Sequence, residues 1–330
     1  MPSPAARPVD VSVVIPTYNR RELLLQCLHS LGRQSLGRDR FEVVVASDGS
    51  TDGTPAAARA AGAELGLHLV VVEARRGGPG HARNRGLAEA RGTVIAFTDD
   101  DVEHEPGWLA AGLAGFADDK VGGVEGRTEP VMGDESLFRF NLENRDGGNY
   151  PTCNMFYLRQ ALDRAGGFDT RFRRVREDTD LALRVMAAGF RIGFAPDAVV
   201  YHRAHHTRPD VPFQVAAETL DSFYLCAKHP DRREFRPRPY PGDLVKAALA
   251  VAAPALALTG LLVPAGLAVL GYAALVMRTM RREVRFRAAL RAGKLMALAG
   301  VYTALPFVSL YYGALGWLRL KRGLLPSEPV

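Results

Sequence analysis

Cysteine is scarce in this chain of 330 residues, which holds only Cys27, Cys153 and Cys226. An odd set without paired or metal-type spacing argues against a disulfide framework or a zinc ribbon, and points to reduced thiols in a cytosolic compartment. The opening MPSPAARPVD lacks an apolar signal core and runs straight into a strand pattern, so no secretion signal is expected. Acidic residues nearly vanish from the last stretch: from Leu244 onward there are eleven Lys/Arg against two Glu, a net of +9. The whole chain is +6, so residues 1–243 carry −3. The basic character therefore belongs to the tail and gives no reason to expect nucleic-acid binding by the front part.

What is present is 47% apolar and 24% charged, the balance of a globular chain long enough for one large domain or two smaller ones. The first hundred residues alternate between two periods. Val11–Ile15, Phe41–Ala46, His68–Glu73 and Thr93–Phe97 read as strands. Arg20 to about Leu31, Thr54–Leu65 and Gly80–Ala90 read as helices, with Asn19 and Glu22 spaced as a capping box. Continuous apolar strands alternating with helices predict an α/β fold with a mostly parallel central sheet covered on both faces. Ligands of such sheets bind beyond the carboxyl ends of the strands, where this chain places PTYNR, SDGSTDG and TDDD. Further on, Thr179–Ala188 predicts a helix stopped by Gly189, and Val215–Ala227 another within a segment rich in Pro, Arg and Asp.

The tail differs in kind. Ala247–Met277 runs 31 residues without a charge and Leu295–Trp317 another 23, lengths that suit a membrane. Between them lies RTMRREVRFRAALRAGK, with seven Lys/Arg against one Glu. Two single crossings with a cytosolic front part would put this segment outside, against the positive-inside tendency. As one straight helix the first stretch would run roughly 46 Å, against a hydrocarbon layer of roughly 30 Å. It also carries Pro254, Gly260 and Pro264, and the second stretch carries Pro306. Re-entrant or paired short helices are therefore expected, with the Arg-rich segment on the cytosolic face against anionic head groups. A buried, soluble helical subdomain is the competing reading. The expected division is a catalytic domain over 1–210, a connector over 211–243 and a membrane-associated helical region over 244–330.

Five motifs in order, VSVVIPTYNR, VVVASDGSTDGT, GPGHARNRGL, VIAFTDDD and REDTDLALR, resemble family 2 of the inverting glycosyltransferases, which have the GT-A fold. The resemblance covers roughly residues 9–205. It implies a Rossmann-like catalytic domain that moves a sugar from a nucleotide-sugar donor with the help of Mg²⁺ or Mn²⁺.

Residue by residue, the resemblance puts Pro16, Thr17, Tyr18 and Asn19 at the nucleotide base, where an aromatic face suits stacking. A turn with an Asn helix cap accounts for the same letters. Asp48 matches the carboxylate that accepts the uracil ring N–H, which favours a uridine donor; an Asx turn in a Gly/Ser loop is its plainer reading. Arg83 and Asn84 match the helix near the ribose and diphosphate, and a guanidinium suits phosphate oxygens. A solvated helix face would explain Arg83 equally simply. The glycines of GGPGHARNRG lack the GxGxxG spacing and do not make a dinucleotide fingerprint.

Asp99, Asp100 and Asp101 match the metal-binding DxD position. Hard oxygen ligands can hold a divalent ion against a departing diphosphate. The analogy favours Asp101 on the metal and Asp99 toward the ribose or the metal. Thr152, Cys153 and Asn154 fall where relatives line the sugar and acceptor pocket, or on a strand through the core. Gly166–Asp169 matches a loop packed beneath the site and reads as structural. Asp178 matches the base that takes the acceptor hydroxyl proton during a single inverting displacement, with Glu177 in support; acidic helix capping is the alternative. His202 matches a region that completes some metal shells, or is a surface His. His205 and His206 lack the partners of a zinc site.

These implications assemble into a membrane-associated transferase with its catalytic domain on the cytoplasmic face, a UDP-linked donor, and a lipid-linked or glycan acceptor in cell-envelope synthesis. Two other classes compete. A nucleotidyltransferase making sugar nucleotides would use similar carboxylates but calls for a Gly/Arg-rich loop where PTYNR stands. A membrane-anchored nucleotide-binding scaffold would need no intact Asp99–Asp101 and Asp178.

Overall fold

The computed structural model describes residues 9–132, 137–138, 142–172, 175–204, 208–235, 241–284 and 295–322. The chain separates into two compact units, 1–131 with 141–203, and 132–140 with 204–330. Segment 211–243, expected as a connector, thus belongs to the second unit together with the apolar tail.

The first unit is built on an eight-stranded sheet. Its strands are β1 (Val11–Thr17), β2 (Phe41–Ser47), β3 (Leu69–Glu73), β4 (Val94–Phe97), β5 (Val102–His104), β6 (Val121–Met132), β7 (Met155–Leu158) and β8 (Arg191–Ala204). Their order is β3-β2-β1-β4-β7-β6-β8-β5. The first four strands are mutually parallel. The sheet then turns mixed, because β7 runs antiparallel to both β4 and β6, and β5 antiparallel to β8. The helices are α1 (Arg21–Leu31), α2 (Thr54–Glu64), α3 (Pro79–Glu89), α4 (Trp108–Ala114), α5 (Arg159–Ala165) and α6 (Glu177–Ala187).

Alternation along the strands explains their unbroken apolar character. Successive side chains point to opposite faces. Val11, Val13, Ile15, Val43 and Val45 join Leu24, Leu28 and Trp108 in one buried cluster. Val14, Val44, Ile95, Phe97 and Tyr157 join Leu162, Leu181 and Val185 in another. Each such burial contributes about 1.5–3 kcal/mol, and both sheet faces are covered. Close packing also sets residue choice. A Cβ on Gly86 would come within 2.6 Å of Val14 Cγ1, so glycine lets α3 lie directly against β1.

One local expectation fails. Asn19 does not cap α1, whose N-cap is Arg20 without a side-chain bond. Asn19 takes a left-handed φ of 50° and reaches across to the next strand's loop instead. Its Oδ1 accepts from Thr51 N at 2.8 Å, and its own N–H donates to Ser50 Oγ at 3.1 Å.

The second unit is helical: α7 (Val211–Ala217), α8 (Thr219–Lys228), α9 (Pro241–Leu258), α10 (Leu262–Glu283) and α11 (Leu295–Lys321). The 31-residue uncharged stretch is broken, as expected, into two helices. Gly260 sits at φ +79° between them, and Ala250, Ala253 and Ala257 of α9 line an apolar hollow together with Ala265, Gly266 and Val269 of α10. Leu262–Glu283 and Met296–Lys321 are long and apolar enough to cross a membrane by length and composition. His205 and His206 lie outside the described residues.

Candidate active site

Four strand or loop ends of the first unit bring polar side chains together. β1 runs out into Thr17, Tyr18 and Arg20; β4 into Asp99, Asp100 and Asp101; β8 carries His202; and α6 opens with Glu177 and Asp178. Two of these junctions are held in strained backbone. Asn19 and Arg176, at φ 50° and 75°, immediately precede Arg20 and Glu177. A left-handed conformation costs an ordinary residue about 1–2 kcal/mol, which the surrounding packing must offset.

The acidic triplet is not left to repel itself. Asp99 Oδ1 accepts from Arg83 Nη2 at 2.8 Å. Asp100 accepts from Thr17 Oγ1 at 2.7 Å and from Arg20 Nη1 at 3.0 Å, and Asp101 Oδ2 shares that Arg20 nitrogen at 3.0 Å. Burial, opposed by Arg20 and reinforced by Asp101, pushes the Asp100 carboxyl up to about 6. Both oxygens of Asp100 are engaged, Oδ2 by Thr17 and Oδ1 by Arg20, and it is not among the side chains that converge on one point.

Asp99, Asp101 and His202 do converge. One donor atom from each lies within 4.8 Å of the others, and His202 stands opposite Val102 in the β5–β8 ladder. Asp101 Oδ1 is buried without a hydrogen bond, 3.6 Å from His202 Nε2. A buried, unsatisfied carboxylate oxygen is costly, and a cation would satisfy it. Two carboxylates and an imidazole make a donor set that suits Mn²⁺ and, less selectively, Mg²⁺. The residues fit a divalent ion.

On the α6 side, Glu177 Oε1 accepts from Arg83 Nη1 at 2.8 Å. Burial, and then the neighbouring Asp178 charge, push Glu177 up to about 7 against the pull of Arg83. Asp178 is also raised by burial, opposed first by the Thr179 amide. Its Oδ1 accepts from Thr179 N at 2.6 Å, and Oδ2 carries no hydrogen bond among the described residues. For Arg83, burial works against the charge, but Asp99 and Glu177 outweigh it and hold the guanidinium firmly protonated.

The nucleotide-side residues are arranged differently from a bare pocket. Asp48 is buried and accepts from Gly77 N at 2.8 Å and Gly78 N at 2.9 Å. It ties the second strand end to the loop before α3 and makes no local Asx turn. Arg76 lies over the Tyr18 ring, 4.3 Å from its centroid. Pro16 is in β1, paired in register with Ala46. Asn84 bonds Phe168 twice, through Nδ2 to O and from N to Oδ1, both at 2.8 Å, which fixes the Gly166–Asp169 loop as a structural element.

Asn154 is drawn away from the sugar pocket expected of it. Its Oδ1 accepts from Trp108 Nε1 at 2.7 Å, and its Nδ2 donates to the Arg127 and Ala198 carbonyls at 2.9 Å. Thr152 is buried beside it. Both sit in a 3-10 turn that locks β7 to its neighbours.

Two residues were missed by sequence reasoning. Arg20 was read as helix start, although three adjacent carboxylates call for a nearby cation. Glu125 had no signal at all. It is buried on β6, and its carboxylate accepts from the Gly148, Asn149 and Tyr150 amides and from Asn144 Nδ2, at 2.5–3.0 Å. Burial raises its pKa against those four donors.

A Rossmann-like sheet whose parallel strand ends gather a carboxylate–imidazole cluster beside an acidic helix start defines a GT-A domain. The comparisons agree. Residues 12–179 match glycosyl transferase family 2, and residues 148–280 match glycosyl transferase family group 2. The chain belongs to glycosyl transferase family 2. It is 29% identical over 211 residues to glycosyltransferase AglE of Haloferax volcanii, covering 59% of this chain and 67% of that one. It is 30% identical over 248 residues to the pre-mycofactocin glycosyltransferase of Mycobacterium tuberculosis, covering 68% and 49%. The chain thus spans about half to two thirds of the length of these relatives. Among solved structures, it is similar to mannosyltransferase PcManGT from Pyrobaculum calidifontis in complex with GDP-Man and Mn²⁺, at 23% identity and TM-score 0.56, covering 96% of this chain and 89% of that one. S. aureus TarS 1-349 in complex with UDP-GlcNAc gives 18% identity and TM-score 0.56, covering 96% and 92%. These similarities show the fold.

Proposed function

We propose that the chain is an inverting, metal-dependent glycosyltransferase that moves a hexosyl group from a nucleotide-linked donor, a UDP-sugar, to a lipid-linked or glycan acceptor at a membrane. The observation that carries this reading is the convergence of Asp99, Asp101 and His202 within 4.8 Å. These three would hold Mg²⁺ or Mn²⁺, whose charge would offset that of a departing diphosphate.

The chain's own groups divide the remaining work. Thr17, Tyr18, Asn19 and Asp48 form the nucleotide side. Arg20, about half exposed, keeps the acidic turn in place through Asp100 and Asp101. Asp178 Oδ2 is the base that receives the acceptor proton, and Glu177 sets the electrostatics around it. One carboxylate suffices, because a single displacement inverts the anomeric centre. A uridine donor is supported by the match of Asp48 to the uracil-binding position and by the UDP-GlcNAc in TarS 1-349.

The membrane role rests on the second unit. Leu262, Val263, Leu267 and Leu270 of α10 and Met296 of α11 stay exposed. Arg281 and Arg282 close α10 at the start of the Arg-rich segment, a placement suited to anionic head groups on the cytosolic face. Turnover of UDP-, GDP- and dTDP-sugars with Mn²⁺ or Mg²⁺, with the anomeric configuration of the product read by NMR, tests the proposal. An inverted product from the UDP-sugar is expected. Pyrophosphate release, or binding without turnover, would replace the transferase reading by a nucleotidyltransferase or a scaffold.

A further inference from the structure

Arg83 was expected to face the ribose and diphosphate. Its surroundings assign it elsewhere. The side chain is 6% exposed, and both Nη atoms are engaged by carboxylates: Nη1 by Glu177 Oε1 and Nη2 by Asp99 Oδ1, each at 2.8 Å. Its Nε is buried without a partner, and the Phe168 ring centroid lies 5.7 Å from its Cζ. Two of its five N–H groups are thereby committed to carboxylates at fixed positions.

The two carboxylates come from elements with no backbone ladder between them. Asp99 follows β4, at the metal cluster; Glu177 opens α6, beside Asp178. Arg83 sits on α3, which Gly86 lets lie directly on β1, so the cation is mounted on the sheet itself. The adjacent Asn84 holds the Phe168 backbone through two bonds, which steadies the loop leading toward α6. A guanidinium is planar and presents its donors in a fixed fork, so it holds two acceptors at a set separation and angle.

We propose that Arg83 is a positioning residue, a clamp that fixes the distance between the metal-side carboxylate Asp99 and the base-side pair Glu177–Asp178. The proposal rests on the transferase reading above and deepens it. Donor and acceptor must meet in line, and a displacement of about 1 Å can lower turnover on the order of a hundredfold. Lysine cannot replace the clamp, because a point charge on a flexible stem reaches one carboxylate or the other but does not set their spacing.

The test separates a clamp from a phosphate ligand. Arg83→Lys and Arg83→Met are compared with the wild-type chain for kcat, donor KM and UDP affinity by calorimetry with Mn²⁺. A clamp predicts kcat lower by roughly a hundredfold in both variants, with KM and UDP affinity within about threefold. Loss of UDP affinity by tenfold or more with kcat retained would overturn it. The double variant Arg83→Met with Glu177→Gln should be no worse than Arg83→Met alone, since both remove the same link; additive losses would overturn the clamp as well. Should the Arg83 variants fail to fold, Glu177→Ala releases the clamp from its other end and must show the same split between kcat and KM. If the wild type turns over no donor, the transferase reading falls. The clamp is then judged by UDP affinity and by the coupling of the two substitutions in melting temperature, and zero coupling would sink it.

Discussion

The first unit buries Glu42, Arg83, Asp100, Glu125 and Glu177, each against named partners, whereas the second leaves Leu258, Val263 and Met296 75–89% exposed. The second unit also buries charge, at Asp221 and in the Asp243–Lys246 pair, but the large exposed apolar side chains concentrate in it. Burying a charge is tolerable when it is paired and hydrogen-bonded, and each of the first unit's five carries such partners, Glu42 accepting from Ser12 and Arg91. The unpartnered buried atoms Asp101 Oδ1 and Arg83 Nε lie at the site. Exposing large apolar side chains in a contiguous array is unfavourable in water and marks a surface that meets something else. The contrast separates chemistry from attachment.

If that separation holds, damage to one unit should leave the other's property intact. The largest effect is expected from Asp178→Asn, which removes the proposed base. Turnover should fall by roughly three to four orders of magnitude, with UDP affinity and vesicle binding unchanged; retained turnover would remove Asp178 from the role. Next comes the second unit's surface. Leu267→Ser with Leu270→Ser should cut partitioning into phosphatidylcholine–phosphatidylglycerol vesicles by roughly a hundredfold to ten-thousandfold, given about 1.5–3 kcal/mol for each of the two side chains. Soluble-donor hydrolysis should be unaffected, and loss of hydrolysis would break the comparison.

Glu125→Ala tests whether buried charge in the first unit is structural. Three backbone amides and Asn144 would lose their acceptor, at a cost of about 3 kcal/mol read by denaturant melting. A smaller effect is pH-dependent. Glu177, which sets the electrostatics around the base, is pushed up to about 7. As it ionises, its bond to Arg83 becomes charge-assisted, and kcat/KM should rise with pH through about 7. Stability should move the opposite way. The folded chain keeps a proton that the unfolded chain releases, so stability declines as pH rises from about 4.5 to about 7. A flat activity profile across this range would contradict the assignment. The smallest expected effect is at the α9–α10 turn, where Gly260→Ala forces a side chain into φ +79° at a cost of about 1 kcal/mol.

Much of the first unit was legible in advance. Continuous apolar runs and their flanking helices mark β1 to β4 and α1 to α3 to within a residue or two, because β1, β2 and β4 are buried on both faces and most of their positions are apolar. The break in the 31-residue stretch was legible for a different reason: Pro254, Gly260 and Pro264 each disfavour one long helix. The site was legible as a set of residues but not as an arrangement. The family resemblance named Asp99, Asp101, His202, Glu177, Asp178 and Arg83. It could not tell that Asp100 turns to Thr17 and Arg20, or that Asn154 is held by Trp108 and two carbonyls. Glu125 escaped because its donors come from a loop more than twenty residues onward, a distance no local pattern covers.

The sequence by itself determined the period of each element, the class of the sheet, the carboxyl-end position of its acidic motifs and the apolar, cationic character of the tail. These follow from properties local to a few residues: propensity, alternation and charge. Only the tertiary structure decided which carboxylate meets which cation. Arg83 and Glu177 are far apart along the chain, and their 2.8 Å contact depends on α3 lying against β1 and on the strained turn at Arg176. Pairing inside a protein is set by burial and geometry summed over many elements, and no stretch of sequence carries that sum.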